Sequence, residues 1–169
     1  FRTGIINSRG RIIRDGRRIT HSEFGSAYTI AFADESATGH NLTLTEPDID
    51  NFVRAKGALF SAIRAMLNSL ELDITDISQV EIAGGIGSGI DFEKAMLIGM
   101  LPKLPVENFT YIGNSSLTGA CAMLLSDEAT DKVFEIGQNM TYLELSTHPG
   151  YIDEFVAACF LPHTDTSLF

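Results

Sequence analysis

The spacing of apolar positions predicts one strand and one long helix in the first half of the chain. Apolar and small polar residues alternate over residues 26–33, as in a half-buried strand. The segment from Leu42 to Asp48 contains a helix start, with Thr45 or Glu46 as the cap and Pro47 in the first turn. Apolar residues spaced by three and four then predict a helix over residues 47–70, whose inner stripe comprises Ile49, Phe52, Val53, Phe60, Ile63, Leu67 and Leu70.

The second half of the chain repeats the order strand, turn, helix. The first unit consists of a strand at 76–83, a glycine-rich turn at 84–89 and a helix at 91–99; the second consists of a strand at 108–112, a turn at 113–116 and a helix at 117–126. Two such units in succession predict neighbouring parallel strands joined by right-handed crossovers. A helix at 127–138, a strand at 140–146 and a helix at 149–160 are predicted to follow. Residues 1–169 are therefore predicted to form a single α/β domain.

Charge is distributed unevenly along the chain. Six of the twelve basic residues, all arginines, fall in the first eighteen positions, where Asp15 is the only acidic residue. Residues 19–169 carry six basic and twenty-one acidic residues, a net charge of −15, which argues against nucleic acid as a partner. The arginines either contact phosphate or decorate a small ribbon. Asp15-Gly16 favours the ribbon, because this dipeptide is typical of a two-residue hairpin turn.

Hydropathy and cysteine usage narrow the class of protein. No apolar run approaches the ~18 residues that cross a bilayer, and no secretory signal is recognisable, so we expect a cytoplasmic protein without a membrane partner. Cys121 and Cys159 lie 38 positions apart and the four histidines are scattered, so we expect no metal site made by this segment alone. The chain begins with Phe1 rather than Met, which suggests a piece of a longer polypeptide.

The strongest chemical signal is the glycine run GGIGSG at residues 84–89. Such a run directly after a buried strand lets the main chain turn sharply and leaves no side chain between the main chain and a ligand. The helix that follows, with Asp91 as its cap, adds its positive N-terminal end. The order of glycines matches neither the GxGxxG nor the GxxxxGK[ST] pattern. The pattern therefore leaves nucleotide contact and a tight structural turn as alternatives.

Two further features are expected near the glycine run. The turn GNSS at 113–116 lies at the same end of the sheet if the strands are parallel, and ligands bind at the carboxyl ends of parallel strands. Lys56 falls on the apolar stripe of the long helix, where a lysine either extends to the rim or meets an anion. The adjacent Gly57 suggests close approach of another backbone or a ligand. For Asn114, helix capping is the alternative to ligand binding.

Several strings, in order along the chain, resemble known ATPases. VEIAGGIGS at 80–88 is similar to the adenosine motif of the actin-like ATPase superfamily, which includes actin, heat-shock chaperones and sugar kinases. Longer strings resemble the C-terminal region of the reductive activators of corrinoid proteins: LTEPDIDNFVRAKGA (44–58), AGGIGSGIDFEKAMLIGMLP (83–102), YIGNSSLTGA (111–120) and YLELS (142–146). The opening GIINSRG (4–10) also fits, so the resemblance spans nearly the whole chain.

The resemblance implies an α/β fold, specifically a ribonuclease H-like (actin-like ATPase) subdomain with a mixed sheet flanked by helices. Proteins of that family resemble a ferredoxin joined to an actin-like ATP-binding region, and they use ATP to drive an electron onto an inactive Co(II) corrinoid. The implied cofactors are ATP, with Mg²⁺ in the parent, and a [2Fe–2S] cluster that would lie upstream of Phe1, as would the phosphate-binding turns. The implied partners are a corrinoid protein or corrinoid-dependent methyltransferase and a second copy in a homodimer.

The resemblance assigns one wall of a nucleoside site to this chain. It comprises Gly84, Gly85 and Gly87 at the adenosine motif, Lys56 on the facing helix, and Gly113 and Asn114 in the second turn. No catalytic residue and no metal ligand are assigned, and we expect the segment alone to be too incomplete to run a reaction. Two alternatives remain: a fragment of an actin-like small-molecule kinase, and a non-catalytic dimerisation module whose glycine turns are purely structural.

Overall fold

Three strands, a long helix, two strand–helix units and two further helices follow one another along a computed structural model that describes residues 1–23 and 25–169. The strands are β1 (Ile19–Ser22), β2 (Gly25–Ala31), β3 (Leu42–Thr45), β4 (Val80–Ile82) and β5 (Phe109–Tyr111). The helices are α1 (Glu46–Ser69), α2 (Phe92–Leu97), α3 (Ser115–Leu125), α4 (Asp127–Asn139) and α5 (Tyr151–Ala158). Within these described ranges, no helix combines the length and the apolar character that a membrane span requires.

The strands of the described chain form two separate sheets. β2 pairs antiparallel with both β1 and β3, whereas β4 and β5 pair in parallel, with Val80 opposite Phe109 and Ile82 opposite Tyr111. The predicted pair of neighbouring parallel strands is therefore confirmed. The expected mixed sheet is divided, because the antiparallel and parallel pairings lie in different sheets.

Helix α1 begins at a capping box and carries much of the core. The Asp48 amide donates to Thr45 Oγ1 at 3.3 Å and the Thr45 amide donates to Asp48 Oδ2 at 2.9 Å, which confirms Thr45 as the cap. Ile49 and Val53 of the predicted stripe are buried, with Leu161 packed against them. Two members of the stripe, Phe52 and Leu70, are exposed. The buried face instead includes Lys56, Gly57, Ser61 and Ala65.

Small residues on that face let α5 approach α1 closely. A Cβ at Gly57 would lie 3.1 Å from Cys159 Sγ and 3.3 Å from the main chain of Ala158. The close approach of another backbone predicted at Gly57 is therefore confirmed. A second core cluster, formed by Ala95, Leu101 and Phe109, packs α2 against the parallel strands. This cluster fixes the position of the glycine-rich turn, which joins β4 to α2.

The predicted hairpin turn at Asp15-Gly16 is wrong. The chain reverses earlier, over residues 7–11, where Ile6 bridges Ile12 in antiparallel fashion. Asn7 Oδ1 accepts hydrogen bonds from the amides of Arg9 and Arg11 at 2.9 and 3.0 Å. These bonds stabilise a turn at Asn7, so the chain reverses there and not at Asp15-Gly16. Asp15 Oδ1 instead lies 2.8 Å from His21 Nε2.

Two further predictions about strands need correction. Residues 42–45, which were predicted to lead directly into the helix, form the edge strand β3. The predicted strand at 140–146 is absent from the described chain, which contains a short 3₁₀ turn at Leu145–Thr147 there. The Glu144 carboxylate accepts hydrogen bonds from the Ser146 amide, the Ser146 hydroxyl and the Tyr142 hydroxyl. These local bonds replace ladder bonds to a neighbouring strand.

Candidate functional site

The two small-residue turns meet at the carboxyl ends of the parallel strands. The Ile112 amide donates to the Ile82 carbonyl at 2.9 Å, and the Gly84 amide donates to the Gly113 carbonyl at 2.8 Å. These two bonds continue the parallel ladder past the ends of β4 and β5. The predicted adjacency of the turns is confirmed, and we call this rim, formed by residues 84–89 and 113–116, the glycine edge.

The main chain at the glycine edge is bare and open. Gly84 and Gly113 have φ of +91° and +76°, in the left-handed region that favours glycine. A Cβ built at Gly84, Gly85 or Gly113 would have no other atom within 4 Å. Packing therefore does not exclude side chains at these positions, and the space beside the backbone is available to a ligand.

Gly87 has a different role from its neighbours. It is buried, and a Cβ there would lie 2.8 Å from Ile82 Cγ2 and 3.0 Å from Tyr111 Cε2. Only a residue without a side chain lets the turn lie this close to both parallel strands. Of the two interpretations of the glycine run, the tight structural turn applies at Gly87, whereas Gly84 and Gly85 border open space.

The helix that follows the turn is capped as predicted. The Lys94 amide donates to Asp91 Oδ1 at 3.1 Å, and Lys94 Nζ lies 2.7 Å from Asp91 Oδ2. The hydrogen bonds from Lys94 hold the pKa of the Asp91 carboxyl below its usual range. Asp91 therefore stays ionised at neutral pH, and the paired ammonium of Lys94 offsets its charge beside the turn.

Asn114 caps α3. Its Oδ1 accepts a hydrogen bond from the Leu117 amide at 3.0 Å, so the side-chain oxygen acts as the helix cap. Within the described ranges, its side-chain NH₂ makes no hydrogen bond. Asn114 is exposed, and this NH₂ group remains a donor at the glycine edge.

Lys56 is completely buried, which neither predicted alternative anticipated. Its Nζ donates to the carbonyl oxygens of Phe160 and Pro162, the latter at 2.5 Å. Burial lowers the pKa of Lys56 to about 8, because the ammonium is desolvated. These bonds tie Lys56 to the segment after α5 rather than to the glycine edge. The ammonium is therefore satisfied by two main-chain carbonyl oxygens, and not by solvent at the rim or by a bound anion.

One feature of the edge was missed in the sequence. Ile86 is 88% exposed between the glycines, and Leu117 is exposed in the first turn of α3. The sequence contains a signal for it, because an apolar residue stands at the centre of the glycine-rich turn. Backbone polar groups combined with exposed apolar side chains suit a flat ring that carries hydrogen-bonding groups.

Comparison with known proteins assigns the class and then the family. The chain has an α/β fold in which two small-residue turns lie beyond a pair of parallel strands. The family described as the C-terminal domain of RACo, the ASKHA domain, matches residues 1–169, and the chain belongs to this family. The resemblance found in the sequence is therefore confirmed.

Individual relatives agree with this family. A solved structure of a reductive activator for corrinoid, iron–sulfur protein superposes with a TM-score of 0.91 at 44% identity, covering 100% of this chain and 27% of that chain. The corrinoid activation enzyme RamQ of Eubacterium limosum is 29% identical over 165 residues, 92% of this chain and 28% of RamQ. The [Co(II) methylated amine-specific corrinoid protein] reductase of Methanosarcina barkeri is 26% identical over 103 residues, 61% of this chain and 19% of the reductase. The chain thus spans less than a third of each relative.

Proposed function

We propose that this chain is the ATP-binding C-terminal portion of a reductive activator that drives electron transfer from an iron–sulfur cluster to an inactive Co(II) corrinoid protein. The observation that carries the proposal is the glycine edge, where two turns are hydrogen-bonded side by side with open space beside their main chains. Three relatives, each named for a role with corrinoid proteins, support an activator over a small-molecule kinase. The fold in this proposal is a ribonuclease H-like subdomain.

The residues at the edge fit a nucleoside. Gly84, Gly85 and Gly113 would let the ribose and base approach the main chain, and the Asn114 NH₂ would donate a hydrogen bond. Ile86 would offer an apolar surface to the base. Gly87 would act indirectly by fixing the turn, and Lys56 would hold the segment after α5. Bound ATP, with Mg²⁺, supplies free energy for the uphill electron transfer through its hydrolysis.

The remaining parts of the proposal concern the parent polypeptide. No group of three or more His, Cys, Asp or Glu side chains in residues 1–23 and 25–169 is arranged to hold a metal ion. In the proposal, the [2Fe–2S] cluster belongs to a ferredoxin region of the parent. The proposed setting is a cytoplasmic homodimer whose partner is a corrinoid protein or a corrinoid-dependent methyltransferase.

A Gly85→Val substitution tests the nucleotide site directly. A Cβ at Gly85 meets nothing in the protein, so the variant should fold, while its side chain fills the space reserved for the nucleoside. Calorimetric titration of the longest native polypeptide carrying residues 1–169 with a non-hydrolysable ATP analogue should show at least about a tenfold loss of affinity, about 1.4 kcal/mol. Gly137→Val is the matched control, because Gly137 also has open surroundings but lies in α4.

The control distinguishes a local effect at the glycine edge from a general loss of binding. The Gly137→Val protein should bind the analogue with the same affinity as the unsubstituted protein. Equal affinity of the Gly85→Val protein would remove the glycine edge from the nucleotide site. An equal loss in both variants would show that the effect is not local, and it would count against the proposal as well.

A further inference from the structure

The basic N-terminal segment forms a cavity that the proposed function does not use. The cavity has a volume of about 370 Å³ and lies between residues 14–19 and the strand β2 with the loop that follows it. We call it the arginine cavity, after the three side chains that dominate its wall. Its lining includes Arg14, Arg17, Arg18, Tyr28, Phe32 and Glu35.

Arg18 is fixed in the wall by internal partners. Its Nη1 donates to the carbonyl oxygens of Thr29 at 3.1 Å and Ile30 at 2.8 Å, and its Nη2 lies 3.3 Å from the Glu35 carboxylate. Glu35 also accepts a hydrogen bond from the Phe32 amide at 3.0 Å. Arg18 therefore orders the cavity, and Glu35 compensates its charge.

Arg14 and Arg17 form no ion pair with any described residue, although the pKa of the nearby Glu35 carboxyl is lowered by the hydrogen bond from the Phe32 amide and also by the Arg17 charge. Neither has a carboxylate within ion-pair distance in the part of the chain that the structure describes. Asp15, the only acidic residue in the first eighteen, lies 2.8 Å from His21 instead. The Arg17 guanidinium lies 5.0 Å from the centre of the Phe32 ring, and that of Arg18 lies 4.9 Å from the same ring. The lining carries three arginines and two carboxylates, Asp15 and Glu35, and this net positive charge favours an anionic ligand.

The setting of these charges favours a protein over a small anion. Arg14 and Arg17 are exposed, so a free anion held by them alone would remain solvated and weakly bound. Arginines stacked on an aromatic ring, with exposed Ile13 and Ile30 in the adjoining segments, have the composition of protein interfaces. The net charge of −15 on residues 19–169 would repel an acidic partner elsewhere and orient it towards this cavity.

We propose that the arginine cavity is a docking site for an acidic segment on the surface of a protein partner. The proposal goes beyond the nucleotide site and does not depend on it. The uneven charge distribution would orient an acidic surface towards the cavity, where its carboxylates would pair with Arg14 and Arg17 and desolvate them against Phe32.

Fluorescence anisotropy with a fluorescein-labelled octaglutamate peptide tests the proposal on the unsubstituted protein and on two double variants. Arg14→Glu/Arg17→Glu should bind the peptide at least about tenfold more weakly at low ionic strength. Arg54→Glu/Lys132→Glu makes the same change in net charge at exposed residues that do not line the cavity, and it should bind within about twofold of the unsubstituted protein. Arg14→Gln/Arg17→Gln should also lose binding. This variant replaces the glutamate variant in the test if the charge reversal prevents folding.

Several results would overturn the proposal. Absence of peptide binding to the unsubstituted protein, or equal losses in the cavity variant and the control, would do so. Displacement of the peptide by sub-millimolar inorganic pyrophosphate would show that the cavity is a small-anion site. The cavity variants should bind the ATP analogue normally, so failure here and failure of the proposed function are separate results.

Discussion

The contact between α1 and α5 differs sharply from the helix pair α3 and α4. Along α1, Lys56, Phe60 and Ser61 are completely buried, and the segment after α5 packs over them. No residue of α3 or α4 is buried. The caps at Asn114 and Ser126 stabilise these two helices locally. The first region is stabilised by tertiary packing. The second exposes apolar surface and is stabilised mainly by hydrogen bonds within its helices and by their caps.

Buried polar groups specify how the first region packs. The Asp165 amide donates to His163 Nδ1 at 2.9 Å, which places the proton of a neutral His163 on Nε2, 3.4 Å from Glu154 Oε1. Arg64 Nε lies 3.6 Å from the same oxygen. The His163 ring lies 5.6 Å from that of Phe60, centre to centre. These groups attract one another across α1, α5 and the final segment without a hydrogen bond to Glu154 Oε1 from the described residues, and a shift of any of the three would separate them.

Gly99→Ala should produce the largest loss of stability, because Gly99 packs directly against the main chain of the segment after α5. Gly99 has φ of +74°, and a Cβ there would lie 2.1 Å from the Pro162 carbonyl oxygen. Backbone strain and overpacking together should reduce the free energy of unfolding by about 3 kcal/mol or more, as measured by urea titration. Gly137→Ala, in the open surroundings of α4, should be neutral or stabilise by up to about 1 kcal/mol. Comparable stability of the two variants would contradict the contrast between the regions.

Lys56 gives the packed region a distinctive dependence on pH. The folded pKa of about 8 lies below the ordinary value of 10.5, so between these values the unfolded chain binds more protons than the folded chain. Stability should therefore rise with pH through this window. The gain should be about 1.6 kcal/mol between pH 8 and pH 9.5, since one pKa unit corresponds to about 1.4 kcal/mol and the folded amine is already half deprotonated at pH 8. A neutral amine keeps two N–H donors, so both carbonyls remain satisfied.

The comparison with Lys56→Met isolates this contribution. Urea titrations of both proteins across pH 7.5 to 9.5 should show the difference in unfolding free energy changing in favour of the unsubstituted protein as pH rises. Both proteins should also carry Cys159→Ala, because the Cys159 thiol interacts electrostatically with Lys56 and its titration would not cancel. The exposed Tyr142 affects both proteins equally and cancels in the difference. A constant or shrinking difference would mean that the ammonium is fully compensated in the folded state.

Local signals predicted most elements, and long-range contacts explain why the position of Lys56 and the exposure of Phe52 were not predicted. Thr45 and Asp91 were recognised as caps because a cap needs only neighbours three residues away. The partners of Lys56 lie 104 and 106 positions away, so no local pattern could identify them. Phe52 matched the helical stripe but is exposed, because Gly57 and Ala65 set the line of contact with α5.

The candidate site was predictable in outline for a similar reason. Strand–turn–helix order places both turns at one edge once the strands are parallel, so Gly84 and Gly113 were expected together. The order of glycines does not show which of them face open space. That distinction depends on contacts of Gly87 with Ile82 and Tyr111, which the sequence pattern does not contain.

Leu124→Gln/Leu125→Gln should produce the smallest effect, because it changes the unpacked region. These leucines are 86% and 87% exposed, so almost no apolar burial is lost, and glutamine has nearly the helix propensity of leucine. The free energy of unfolding of residues 1–169 should change by less than about 0.5 kcal/mol in a urea titration. A loss above about 1.5 kcal/mol would mean that these side chains are covered in solution. The contrast drawn between α1–α5 and α3–α4 would then fail, since both regions would owe their stability to apolar packing.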